Sequence, residues 1–185
     1  MEAMISQNTH LAVSIKKMDE NHLSISYTLR NDSNKSLLVF NRLYAADSMG
    51  NIKIKPDRFY IYPENGATLA VTRRVMPIPA GREVESPEVP LGVILKTGRE
   101  LSETGTLALP LKMDTPYGSG EDMKPAVFKE LSFSLGVAPL DDALPIRRVK
   151  VEGAEALTLP YGPALKNQVI LTAAPVTIEL QALIP

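Results

Sequence analysis

The sequence contains no cysteine and no tryptophan, and only two of its 185 residues are histidine. The lack of cysteine excludes disulfide bonds, thiolate nucleophiles and zinc sites built from cysteine ligands. It does not fix the cellular compartment. The lack of tryptophan removes a side chain that carbohydrate-binding modules commonly display, so a module of that kind is not favoured.

Long apolar runs are also missing. No stretch approaches the roughly 20 apolar residues that a membrane-spanning helix needs, so no integral membrane segment is expected. The opening letters, MEAMISQNTHLAV, lack a basic start followed by an apolar stretch, and they therefore predict no signal peptide. The protein is expected to be cytoplasmic, or periplasmic or secreted if a leader has been removed.

An excess of positive charge is absent as well. The formal net charge is −1 at pH 7, whereas a nucleic-acid-binding domain usually carries a basic excess or a basic stripe. The best local candidate is Arg147, Arg148 and Lys150, and it is preceded by Asp141 and Asp142. Because these carboxylates offset much of the basic field, no nucleic-acid partner is expected.

What the sequence does contain is a two-residue alternation of apolar and polar side chains. Residues 22–30, HLSISYTLR, alternate throughout, as a half-buried strand does. Residues 10–18 alternate in the same way, and the polar connection at residues 19–21 predicts that the two strands form a hairpin. Residues 36–44 are apolar on both faces, which indicates a central strand or one with a bulge.

Proline and glycine punctuate the rest of the chain, with fifteen and eleven copies. Residues 76–90 contain four prolines and cannot be a regular central strand, because proline lacks a ladder donor. This passage is either a crossing connection or an irregular edge. Strand-like segments resume after it and continue to residues 176–183, and no stretch has a convincing 3.6-residue period.

Many short strands with polar turns predict an all-β fold. We expect an immunoglobulin-like β-sandwich of two mainly antiparallel sheets with Greek-key connections, since long crossings suit that topology. No flexible linker divides the chain, so residues 1–185 are expected to form one elaborated domain. Two small β domains, residues 1–100 and 101–185, are the alternative.

Groups that could converge for catalysis are few, and the sequence predicts no catalytic residue, no metal site and no cofactor. His10 and His22 would lie far apart along the predicted hairpin, which argues against a shared metal. Ser119 stands between two glycines, but the spacing and context of a nucleophile turn are missing. The predicted function is therefore non-enzymatic.

Loop carboxylates leave one enzymatic alternative open. Glu83, Glu85 and Glu88 could do acid–base work in a hydrolase acting on sugars or peptides. Substitution of the three should then abolish activity on some substrate of a panel.

Residues 22–83 contain a distinctive order of elements: a proline, an aromatic strand, a Pro-x-x-Gly turn, a strand with basic residues and a proline-bearing approach to a glutamate. The residues that carry this order are Pro56, Phe59, Pro63, Gly66, Leu69, Arg73, Pro79 and Glu83. In this order the chain resembles the first domain of bacterial periplasmic pilus chaperones. The resemblance implies an immunoglobulin-like fold and, as an alternative function, a chaperone-like accessory protein of the envelope or of secretion. The arginine and lysine with which that family binds a partner's terminal carboxylate are not placed in this chain, so no site residue is carried over.

The sequence thus predicts a protein-binding or assembly module that engages another protein or peptide through a sheet edge or through end loops. Edge pairing uses main-chain hydrogen bonds and leaves little trace in side chains. The predicted edges are residues 76–90 and 176–183, and the oligomeric state is left open. The candidate contact residues are three tyrosines and three residues of the last strand, namely Tyr60, Tyr62, Tyr117, Val176, Ile178 and Leu180.

Overall fold

The computed structural model describes residues 5, 7–118 and 122–185, and in this part the chain is mostly β with one short helix, α1 (Tyr161–Asn167). The all-β class predicted from the alternation is therefore confirmed. In chain order the strands are β1 (Thr9–Lys17), β2 (His22–Asn31), β3 (Leu37–Arg42), β4 (Tyr44–Ala46), β5 (Ile52–Ile54), β6 (Tyr60–Pro63), β7 (Thr68–Arg73), β8 (Leu91–Leu95), β9 (Arg99–Ala108), β10 (Leu111–Lys112), β11 (Lys124–Pro139), β12 (Arg147–Val151), β13 (Ala154–Thr158), β14 (Val169–Thr172) and β15 (Val176–Ile184). The described helix is not long and apolar enough to cross a membrane.

A three-stranded antiparallel sheet has the order β1-β2-β9. The predicted hairpin of β1 and β2 is confirmed, and its register runs without a shift from Thr9 opposite Asn31 to Lys17 opposite Leu23. The alternation sends one face of β2 inward, so that Leu23 and Ile25 are completely buried.

The larger sheet is organised around β11, which is sixteen residues long. Strands β15 and β14 pair with β11 along one edge, and β7 and β3 pair with it along the other. Strand β7 runs parallel to β11, whereas the other three are antiparallel. Beyond β3 the sheet continues through β8 and β13 to β12, while β6 extends β7 and β10 extends β15.

Strand β3 lies between β11 and β8 and is buried on both faces, which confirms the central position predicted from its two apolar faces. Leu37 and Val39 belong to the main core between the two sheets, while Leu38 and Phe40 belong to a second core on the opposite face. The pairing of β3 with β8 also contains a register shift between Val39 and Arg42.

The two cores give the molecule three layers. In the main core the ring of Tyr27 from the three-stranded sheet stacks on Phe133 of β11, with 5.1 Å between the ring centroids. In the second core α1 covers the far face of the large sheet, and its Ala164 is completely buried. From Leu131 to its end β11 is buried on both faces, with Ser134 alone partly exposed among these residues.

Two elements are absent from the sequence-based prediction. Helix α1 has only seven residues, too few for a helical period to be recognised. Strand β13, with the sequence AEALT, shows no alternation and is held by pairing with β12 and with one residue of β8. The proline-rich residues 76–90 form no strand, so the alternative of a connection, here between β7 and β8, is the correct one.

One buried cation holds the turn before β6 against the sheets. The side chain of Arg73, at the end of β7, is 4% exposed, and its Nη1 donates to Oε2 of Glu103 at 3.1 Å. Its Nε donates to the carbonyl oxygen of Arg58 at 3.2 Å, and its Nη2 donates to the carbonyl oxygen of Pro56. The guanidinium also lies over the ring of Phe59, 3.9 Å from the centroid.

The carboxylate that receives this cation lies in the other sheet. Glu103 belongs to β9, and it also accepts hydrogen bonds from the hydroxyl of Tyr27 and, at 2.7 Å, from Nδ2 of Asn41. The Arg73–Glu103 pair therefore bridges the two sheets, and each nitrogen of the guanidinium and each carboxylate oxygen has a hydrogen-bond partner. Such partners are the condition under which a buried ion pair is tolerated.

We expect Arg73→Met to lower the free energy of unfolding by about 3–5 kcal/mol, because it leaves the carboxylate of Glu103 without its cation and two main-chain carbonyls without their donor. Urea unfolding followed by circular dichroism measures the change. Arg148→Met is the matched control: Arg148 pairs with Glu155 on the surface at 3.3 Å, and loss of such a pair costs about 0–1 kcal/mol. Equal costs for the two variants would contradict the role given to Arg73.

Candidate partner-binding edges

Strand β1 has one edge without a strand partner, since among the described residues it pairs only with β2. Two main-chain hydrogen bonds fix which groups face that free edge. Met18 N donates to the His22 carbonyl at 2.9 Å, and Asp32 N donates to the Asn8 carbonyl at 2.9 Å. Because main-chain groups alternate along an antiparallel strand, the even-numbered residues of β1 bond to β2. The N–H and C=O groups of the odd-numbered residues point away from it.

The side chains of the same odd-numbered residues face the core. Leu11 and Val13 are partly exposed and pack against the main core, and Ile15 is buried. The solvent-facing residues between them, Ala12 and Ser14, are small. The edge of β1 thus combines free main-chain groups with apolar side chains that the fold covers only in part.

Strand β15 has a second unpaired stretch. It pairs with β11 on one side, whereas on the other side β10 reaches only Ala182 and Leu183. Residues 176–181 therefore have no strand on their outer side among the described residues. Val176 and Ile178 are partly exposed against the main core, while Leu180 is 2% exposed and belongs to its interior. The register against β11 shifts along this stretch, which indicates a bulge.

A surface groove of about 400 Å³ lies where the end of β1 meets β15. Lys17 at the end of β1 and Glu179 of β15 both line it, together with the apolar side chains of Pro110 and Val127. The free edges of β1 and of residues 176–181 thus both reach this groove, and we call the two edges together with the groove the open side.

The opposite side is closed by the segment that Arg73 holds. Asp57 Oδ1 accepts a hydrogen bond from the main-chain N–H of Thr106 at 2.7 Å, on the outer edge of β9. The ring of Phe59 lies so close to Gly105 that a Cβ added there would be 2.6 Å from Cε2 of the ring. Glycine is therefore required at this approach. The edge of β9 is covered, in contrast to that of β1.

The three candidate tyrosines lie away from the groove. Tyr60 is completely buried, which corrects the expectation of an exposed aromatic: its hydroxyl donates to Oε1 of Glu88 at 2.6 Å. Tyr62 and Tyr117 are partly exposed, and their hydroxyls bond to Arg74 at 2.9 Å and to the Met76 carbonyl at 3.2 Å. The structure therefore does not bring the tyrosines together with the candidate residues of β15.

The carboxylates of the hydrolase alternative also occupy different environments. Glu88 forms an ion pair with Nη1 of Arg58 at 3.0 Å, and the same guanidinium binds Asp114 through Nε at 2.9 Å. Glu83 and Glu85 are exposed in the proline-rich connection. Glu88 is thus held as a hydrogen-bond acceptor within the fold.

The two histidines lie at opposite ends of the β1–β2 hairpin. In the register of the hairpin, His10 lies opposite Arg30 and His22 lies near its other end, where it bonds to Asp19 at 2.9 Å. Within the described residues no group of three or more histidine, aspartate or glutamate side chains could hold a metal ion. Ser119 lies outside the described residues.

The edge of β1 is the feature that sequence reasoning missed. The hairpin was predictable, but the sequence does not indicate which strand, if any, pairs with the outer edge of β1. That partner is settled by contacts far apart in sequence, such as the pairing of β2 with β9.

Comparisons with protein-family models, with curated proteins and with solved structures yield no match to this chain.

Two buried tyrosines make the stability depend on pH. Burial raises the pKa of Tyr27 and of Tyr60 far above the ordinary value of 10.0, and the nearby carboxylates of Glu103 and Glu88 raise it further. Because the pKa of each tyrosine is higher in the folded than in the unfolded chain, the difference contributes stability that is fully present at pH values below the unfolded-state pKa. This stability is lost as pH rises from the unfolded-state pKa through the folded-state pKa.

We therefore expect the free energy of unfolding to fall as pH rises above about 10, and to fall less steeply in a Tyr27→Phe, Tyr60→Phe double variant. Urea unfolding at a series of pH values between about 9 and 11 measures both slopes. Parallel slopes for the two proteins would show that these tyrosines do not cause the decline.

Proposed function

We propose that this chain is a non-enzymatic protein-binding or assembly module that engages an extended segment of a partner along its open side. The observation that carries the proposal is the unpaired outer edge of residues 176–181, where Val176 and Ile178 are only partly covered. A free strand edge offers a row of main-chain donors and acceptors, and an added strand satisfies them whatever its sequence.

The strand order supports an immunoglobulin-like sandwich as the framework. In that fold strands A, B and E share one sheet, while C, F and G share the other. Here β1, β2 and β9 follow the pairing of A, B and E, and β3, β11 and β15 follow that of C, F and G. The chain crosses from β2 to β3 and returns from β8 to β9 beside β2, as a Greek-key connection does.

Two features of β15 restrict what can pair there. The bulge disturbs the spacing of main-chain groups, and Glu179 adds a charge, both of which are devices that limit unspecific edge pairing. A partner segment must therefore match the local geometry, which gives selectivity. The resemblance to pilus chaperones adds one specific form of this function, that of an accessory protein of the bacterial envelope or of secretion.

The test is the substitution Ile178→Lys, which places a charge among the half-covered apolar residues of the edge. Tagged protein is incubated with cytoplasmic and envelope extracts of the source organism, and retained proteins are identified. Ile170→Lys is the matched control, because Ile170 is 41% exposed on β14, another strand paired with β11. Circular dichroism and a melting curve first establish that both variants fold.

We expect a partner that wild type and Ile170→Lys retain and that Ile178→Lys loses at least about tenfold, equivalent to about 1.4 kcal/mol. The extract that supplies the partner identifies the compartment. Equal retention by all three proteins, or a partner in neither extract, would contradict the proposal.

A further inference from the structure

We propose that the edge of β1 pairs with the β1 edge of a second copy of this chain, antiparallel and about a two-fold axis at Val13. This pairing rests on the proposed function and names a second copy as the occupant of the β1 half of the open side. It joins the two three-stranded sheets into one continuous sheet, a closed and symmetric form of association.

The main-chain geometry of β1 suits this register. An antiparallel pairing centred on Val13 places Val13 opposite itself, Leu11 opposite Ile15 and Thr9 opposite Lys17. These are the odd-numbered residues, whose N–H and C=O groups point away from β2. Each such pair can therefore exchange two main-chain hydrogen bonds, and the pairing uses the whole length of the strand.

The side chains suit it equally well. On the core side the contact sets Val13 against Val13 and Leu11 against Ile15, so the two partly exposed side chains, Leu11 and Val13, gain apolar neighbours. On the solvent side Ala12 faces Ser14, and neither is large enough to obstruct the approach. Strand β1 contains no bulge and no proline, unlike many edges that are protected against pairing.

The charges favour the antiparallel direction. Lys16 lies opposite His10 and Lys17 opposite Thr9, so the lysine pairs of the two copies stand at opposite ends of the contact. A parallel arrangement would set Lys16 and Lys17 beside their counterparts, and like charges directly opposite are destabilising.

The first test is the molar mass in solution, measured by light scattering over a range of protein concentrations. We expect wild type to approach twice its chain mass of 20.2 kDa. Val13→Pro removes an N–H that points to the free edge and leaves the bonds to β2 intact, since proline is tolerated where the N–H faces outward. It should weaken dimerisation at least about tenfold, because each dimer loses two main-chain hydrogen bonds.

The second test fixes the register. Because the chain has no cysteine, Val13→Cys introduces a single thiol. Residues in a hydrogen-bonded antiparallel pair have Cα atoms about 5.5 Å apart, within the range of a disulfide. Mild oxidation should therefore lock Val13→Cys as a covalent dimer. Ala108→Cys, exposed at the end of β9 in the same sheet, should stay largely uncrosslinked.

Monomeric wild type at every concentration would overturn the proposal, and so would a dimer that survives Val13→Pro unchanged. If Val13→Pro does not fold, crosslinking decides: equal crosslinking of Val13→Cys and Ala108→Cys, or none, overturns it. If wild type is monomeric and Ile178→Lys loses a captured partner, self-pairing is rejected while partner binding at β15 is retained. If wild type dimerises through β1 but no partner is captured, only partner binding at β15 is rejected.

Discussion

The ion pair between the buried guanidinium of Arg73 and Glu103 is the interaction on which the rest of the arrangement depends. It ties β7 of the large sheet to β9 of the small one, and it holds the carbonyls of Pro56 and Arg58 at the same time. The segment fixed in this way covers the outer edge of β9. Arg73 thus closes one side of the molecule, and the asymmetry between a closed and an open side follows from it.

In the proposed function the open side receives the partners because it lacks such a closure. Strand β1 is regular and its outward main-chain groups alternate with those bound to β2, so it is suited to a symmetric contact with its own copy. Strand β15 is bulged and pairs with β10 only at its end, so it is suited to a partner of matching geometry. The open side thereby offers two edges of different selectivity.

Local periodicity was sufficient for the elements whose pattern reflects their own burial. The alternation in β2 and the two apolar faces of β3 predicted the hairpin and the central strand, because the pattern of apolar side chains along a strand shows which of its faces are buried. The same reasoning could not predict the burial of Tyr60, whose hydroxyl is satisfied by Glu88 from a distant connection. It could not predict the parallel pairing of β7 with β11 or the free edge of β1 either, because pairing between distant segments leaves no local period.

Amide hydrogen exchange along β1, resolved by residue at low and high protein concentration, tests the central claim most directly. The account predicts that the amides of Ser14 and Lys16, which bond to β2, are protected at both concentrations. The amides of Leu11, Val13 and Ile15 should exchange rapidly in dilute protein and become protected as the concentration rises. Protection of all five amides in dilute protein would mean that the edge is already covered, and rapid exchange of the three outward amides at every concentration would mean that no second copy pairs there. Either result would contradict the account.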